Sequence, residues 1–133
     1  MLDVNNIPPV EPDETVARYI INHRNVRADN TIKPDEFIPY KFVVLSVNRH
    51  RDCSEEEIWR FGQQVAEQRS KELLGRTDIT VAACSIDQLS VVPEPIDGNP
   101  NHADIVGYPP KKADQKALAA KIAAEASELV TSP

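Results

Sequence analysis

Between Asp97 and Pro110 the chain concentrates two of its four glycines, three of its prolines, two Asn and one of its three His. Pro100, Pro109 and Pro110 each remove a backbone donor and fix φ, so no helix can run through this stretch. Gly98 and Gly107 permit turns that other residues resist. Ile105 and Val106 still give the segment apolar side chains to bury. The fold must therefore be organised around a shaped loop, and shaped loops on rigid scaffolds are where binding and chemistry concentrate.

A chain of 133 residues has the usual length of one domain and is long enough to bury a core without staples. Residues 1–12 hold Pro8, Pro9 and Pro12 and little to pack, which predicts an extended N-terminal arm ahead of a single α+β domain over 13–133. Pro12-Asp13-Glu14 suits the first turn of a helix, with Val16, Ala17, Ile20 and Ile21 on its apolar side and its end near Asn22. Residues 23–41 read as irregular, anchored by Phe37 and Ile38. Phe42–Asn48 is the first expected strand, β-branched and alternating toward its end.

Ser54-Glu55-Glu56-Glu57 is a capping box, and Ile58, Phe61, Val65 and Leu73 after it share one helical face. This helix is expected to end at Leu74-Gly75, with Gly75 as a left-handed stop. Strands are expected over Asp78–Ile86 and Leu89–Val92, with a further one over Ala103–Gly107. Lys111–Val130 is Ala-rich, with Leu118, Ile122, Ala126 and Leu129 on one stripe. The element order lacks the regular alternation of a doubly wound sheet. It predicts an antiparallel or mixed sheet of three to four strands packed against two to three helices.

The net charge of −6 argues against bulk affinity for nucleic acid or anionic membranes. That average hides a pattern: residues 1–17 carry four acids and no base, while residues 18–51 carry seven bases against three acids. A local positive surface of this size suits a small anion better than a duplex. The aromatics within the basic stretch (Tyr19, Phe37, Tyr40 and Phe42) form no RNA-binding signature. Two widely spaced cysteines and no export signal predict free thiols and a cytoplasmic location, and no apolar run reaches the length of a membrane span.

Three histidines lie in polar, non-helical sequence. If the fold gathers them, His50 and His102 are the candidate acid–base pair, with Arg24, Arg49 and Arg51 as anion holders for phosphoester or nucleotide chemistry. The competing reading leaves each histidine as a locally hydrogen-bonded loop residue. His102 and Asp104 offer at most two ligands, and no HxH, HExxH or paired-Cys spacing occurs, so neither a metal nor a cofactor is expected. Cys53 lies near Arg49, His50 and Arg51, which would lower a thiol pKa, but three glutamates share its helix turn. As the residue before the Ser54 cap it is better read as a packing partner of Ile58. Cys84 reads as a core strand residue.

Three segments carry a resemblance: Glu57-Ile58-Trp59, Gly75-Arg76-Thr77-Asp78-Ile79 and Asn101-His102-Ala103-Asp104-Ile105-Val106-Gly107-Tyr108-Pro109, with Thr31 to Pro39 as a looser fourth. They resemble segments of a group of small uncharacterised bacterial proteins. The resemblance implies a bacterial source and transfers no fold, activity or site residue.

Two functional readings follow, from different classes. The first is a non-catalytic accessory protein acting through a protein partner or self-association. The second is a small enzyme or binder of a phosphorylated or nucleotide ligand that uses the histidines and arginines.

Overall fold

The computed structural model describes residues 1–39 and 41–133; Tyr40, one of the aromatics of the basic stretch, lies outside the described residues. Strands β1 (Thr15–Ile20), β2 (Leu45–Arg49), β3 (Gly75–Thr80), β4 (Ser90–Pro93) and β5 (His102–Val106) form one open antiparallel sheet in the order β3-β1-β2-β5-β4. The helices are α1 (Glu55–Gln68), the single turn α2 (Val81–Cys84) and α3 (Lys112–Glu125). Two 3₁₀ turns, His23–Asn25 and Pro34–Phe37, organise the chain between β1 and β2. The α+β class is as expected, with five strands rather than three to four.

The additional strand is β1, where a helix was expected. Val16, Ala17, Ile20 and Ile21 fit a helical face, but they equally fit a central strand buried on both sides. Val16 and Ile20 join the core beneath α3, with Leu45, Val47, Ile79, Ala103, Ile105, Leu118 and Ile122. Ala17 and Tyr19 point the other way and pack with Ile58 and Phe61 of α1. A strand covered on both faces loses the polar alternation that would reveal it.

Helix α1 begins at the capping box as expected: the Ser54 hydroxyl accepts the Glu57 N–H and the Glu57 carboxylate accepts the Ser54 N–H. Cys53 packs partly buried against the Ile58 cluster, the role expected for it. The helix ends at Gln68 rather than Leu74, because Ser70 turns left-handed (φ 53) and Leu74 donates its N–H to Ile20, starting the next strand. Gly75 is therefore no helix stop. A Cβ there would lie 2.4 Å from the Val130 carbonyl, where the C-terminal segment bridges Arg76.

The strand expected over 78–86 lies instead at Gly75–Thr80. It stops because the Thr80 hydroxyl accepts the Ala83 N–H and caps α2. Cys84 is core, as expected, but within that turn of helix. Helix α3 ends at Glu125, five residues before the expected limit. The strand expected from Phe42 is β2 and starts at Leu45, leaving Phe42, Val43 and Val44 exposed. Among the described residues no helix is long and apolar enough to cross a membrane.

Gly98 and Gly107 both hold positive φ, 76° and 98°, but their surroundings differ. A Cβ at Gly107 would lie 2.3 Å from the Gln88 carbonyl, whereas one at Gly98 meets only the Gln64 side chain at 3.9 Å. Gly98→Ala should cost about 1–2 kcal/mol, the left-handed penalty alone. Gly107→Ala should cost clearly more, since backbone must also move. Urea unfolding of the two variants tests this, and equal losses would refute the close approach at Gly107.

Candidate functional site

His102 opens β5 and shares a sheet face with Asp104 two residues on. Its Nδ1 lies 2.8 Å from the Glu94 carbonyl oxygen, which can only accept. The ring therefore donates from Nδ1, Nε2 makes no hydrogen bond among the described residues, and the residue lines a groove of about 130 Å³. Tyr19, Ile21, Val65 and Ile96 supply apolar wall, with Ser46, Asn48 and Gln68 among the polar lining. Asn48 is already committed, exchanging two amide hydrogen bonds with Asn99 at 2.9 and 3.1 Å.

The groove exists because the sheet is incompletely zipped. All six residues of β1 pair with β3, but β1 pairs with β2 only at Val16↔Arg49 and Ala17↔Asn48. Past Ala17 the Arg18 side chain takes over: Nη1 donates to the Ser46 carbonyl at 2.8 Å and Nε to Glu36 at 2.9 Å. Among the described residues Arg18 and Arg69 are the charged side chains lining the groove, and no carboxylate lines it. Glu36 neutralises Arg18. The exposed Arg69 guanidinium has neither an ion pair nor a side-chain hydrogen bond among the described residues.

Asp104 sits opposite Ser46 on the same face. Burial pushes its carboxyl above the usual carboxylate range, against the opposing charge of His102 and with the Glu94 carboxylate adding to the rise. Its Oδ1 is buried without a hydrogen-bond partner among the described residues.

The other expected site residues are placed elsewhere. His50 directs Nε2 to Asp78 at 3.0 Å, an oxygen it shares with Arg76 Nε at 3.0 Å. Arg76 also forks onto Glu55 and lies over the Trp59 ring, 4.7 Å from its centroid. Burial would raise the Asp78 carboxyl, but the hydrogen bonds and charges of His50 and Arg76 hold it below its ordinary value. His50 and Arg51 border a cleft with Glu11, Asp13 and Glu14, whose three carboxylates oppose an anion. Arg24 lies with His23 in a third cleft, of mixed charge, beside Asp35, Glu36, Lys71 and Glu72. The three histidines thus line three separate cavities, and His50 and His102 do not share one. Among the described residues no three His, Cys, Asp or Glu side chains are grouped to hold a metal ion.

Arg49 is an interior residue. Its guanidinium is fully buried and donates to both Glu14 carboxylate oxygens at 2.8 Å and to the Pro8 and Pro9 carbonyls at 2.8 and 3.1 Å. Asn101 is equally structural: its amide donates to the Arg49 and Arg51 carbonyls and accepts the Leu2 N–H. The N-terminal arm is therefore held against the domain by its own chain. Burial pushes the thiols of Cys53 and Cys84 up, the latter to about 12, so neither is poised as a nucleophile.

Arg69 escaped the sequence reading because the expected helix ran through it to Leu74. The groove escaped because it needs β1 to be a strand. No family model, curated protein or solved structure matches the chain.

Burial would raise the Glu14 carboxyl, but hydrogen bonds from Arg49 and the Glu11 N–H, with the charges of Arg49 and Arg51, hold it below its ordinary 4.5. A depressed carboxylate contributes stability that is complete above pH 4.5 and lost as pH falls through the folded value. Glu14→Ala should cost about 3–5 kcal/mol at pH 7 by stranding a buried guanidinium. It should also flatten the acid limb of the stability curve. Urea unfolding from pH 3 to pH 7 checks both, and a loss below about 1 kcal/mol would contradict the pairing.

Proposed function

We propose that the chain is a non-catalytic binding protein of the bacterial cytoplasm, which docks another protein through Phe42-Val43-Val44. The observation that carries this reading is their exposure: 67, 54 and 39 % for three consecutive large apolar side chains. The other two Phe, Phe37 and Phe61, are fully buried, so the fold has core positions for this residue type and leaves Phe42 outside them. Contiguous exposed apolar surface on a folded domain marks an interaction site.

The run leads directly into β2, whose side toward β1 is paired only at Asn48 and Arg49. Within β2 the Ser46 carbonyl on that side is already taken by Arg18, so a partner covers the apolar run by side-chain packing rather than by adding a strand in the seam. Lys41 adjoins the run within the basic stretch 18–51, which favours a partner segment with acidic flanks. The net charge of −6 opposes a second copy in the same place. The bacterial and cytoplasmic parts rest on the sequence resemblance and on the two free cysteines.

A photo-crosslinking amino acid at position 42, with a control at exposed Lys116 on α3, tests the reading in bacterial cells. The expected result is an adduct of one defined mass from position 42 and none from 116. Phe42→Ser should then weaken the purified complex by about 2 kcal/mol, the scale of an interface hot spot. Folding stability should stay within about 0.5 kcal/mol, as for exposed substitutions generally. Equal adducts from both positions, no adduct, or an adduct at twice the chain mass would each overturn it.

A further inference from the structure

Beyond protein docking, we propose that the groove between α1 and the β1–β2 seam binds a small organic carboxylate with a compact apolar body, of the size of one aromatic ring. Three observations converge. The first is size and lining. A cavity of about 130 Å³, walled by Tyr19, Ile21, Val65 and Ile96, is comparable to the engineered apolar cavity of ~150 Å³ that accepts benzene. Here the mouth is open and edged by polar groups, so a charged substituent on the ring can remain outside.

The second is electrostatic sign. The charged lining residues are arginines, Arg18 is already paired with Glu36, and Arg69 has no ionic partner among the described residues. A guanidinium at the rim of an apolar slot matches a carboxylate through its planar fork, which a bare ammonium would not do. The third is the set tautomer of His102. With Nδ1–H committed to the Glu94 carbonyl, Nε2 is the ring nitrogen left for a ligand in the groove that His102 lines. It donates to the carboxylate when the ring is protonated and accepts from a ligand hydroxyl when it is neutral. The ligand body then lies on the Tyr19 side with its carboxylate at Arg69 and His102. No bond is made or broken, and His102 and Arg69 are binding residues.

Benzoate is the probe, with benzyl alcohol as the neutral isostere and inorganic phosphate as the anion without an apolar body. Titration of the isotope-labelled full chain is followed by amide shifts and by the His102 ring nitrogens. Saturable benzoate binding is expected, with shifts confined to the groove lining, from Tyr19 and Val65 to Arg69 and His102. The Nε2 resonance should move while Nδ1, still on Glu94, does not. Benzyl alcohol and phosphate should each bind at least ten-fold more weakly.

Arg69→Gln should weaken benzoate at least ten-fold. Ser46→Phe, at an exposed lining position, should block the groove without disturbing the core. Phe42→Ser should leave benzoate binding unchanged, which separates this site from the docking surface. Absence of saturable shifts, benzoate and benzyl alcohol binding equally, or full binding by Arg69→Gln would overturn the proposal. Spectra of each variant outside the groove establish that it is folded.

Discussion

The Arg49 guanidinium is the constraint on which the rest of the structure depends. A cation removed from water must find partners for its donors, and this one finds them at Glu14 and at two carbonyls of the N-terminal arm. Glu14 brings the start of β1 to the end of β2. Pro8 and Pro9 draw the arm over the same point. The Arg49 carbonyl takes the Asn101 amide, so the chain before β5 is tied there as well. Leu2 closes the arrangement by donating to Asn101. Prolines suit this arm because they leave carbonyls free to accept while removing donors that would need burial partners.

Holding β1 and β2 together at this end has a consequence at the other. Their register is set at Val16↔Arg49 and Ala17↔Asn48, and pairing goes no further. Each strand is meanwhile committed along its length to a different neighbour, β1 to β3 and β2 to β5. The seam between them opens where Arg18 turns its guanidinium to the Ser46 carbonyl and Glu36. The groove is thus a product of strand pairing rather than of a missing side chain in the core. Its two walls belong to different halves of the sheet.

Local signals in the sequence were legible wherever one residue does one job. Ser54 and Glu57 can satisfy each other only at a helix start, so α1 began where the capping box put it. Leu118 and Ile122 marked the core side of α3 through their spacing. Legibility failed where two layers bury one strand. Val16, Ala17, Tyr19 and Ile20 all face apolar neighbours, and the resulting run mimics a helix after Pro12-Asp13-Glu14. The same misreading hid the candidate site, since the groove is bounded by β1. Gly75 misled for a related reason. Its role is set by Val130, a contact between residues 55 apart that no local pattern encodes. His102 was singled out for its surroundings in the sequence, yet its neighbour Asn101 proved structural and its groove partner Arg69 was hidden inside an expected helix.

The two helical layers also explain why exposed chemistry collects on one half of one face. Five strands spaced ~4.8 Å apart span roughly 19 Å, while a helix with its side chains is about 10–12 Å across. One helix therefore covers about two strands. On the α3 side, α2 and the turn at Pro34–Phe37 contribute further apolar cover, and the core is continuous. On the α1 side the one helix among the described residues is α1, lying over Ala17 and Tyr19, with the loop around Ile96 and Asn99 beside it. Ser46 and Ser90 are left exposed there, with His102, Asp104, Val92 and Val106 half-buried. A face meant only for water would be polar throughout. This one mixes valines with a histidine of set tautomer and a carboxyl whose Oδ1 has no partner among the described residues, at the margin of an open seam. That composition is costly to leave bare, and it is on this side of the sheet that a ligand would recover the most.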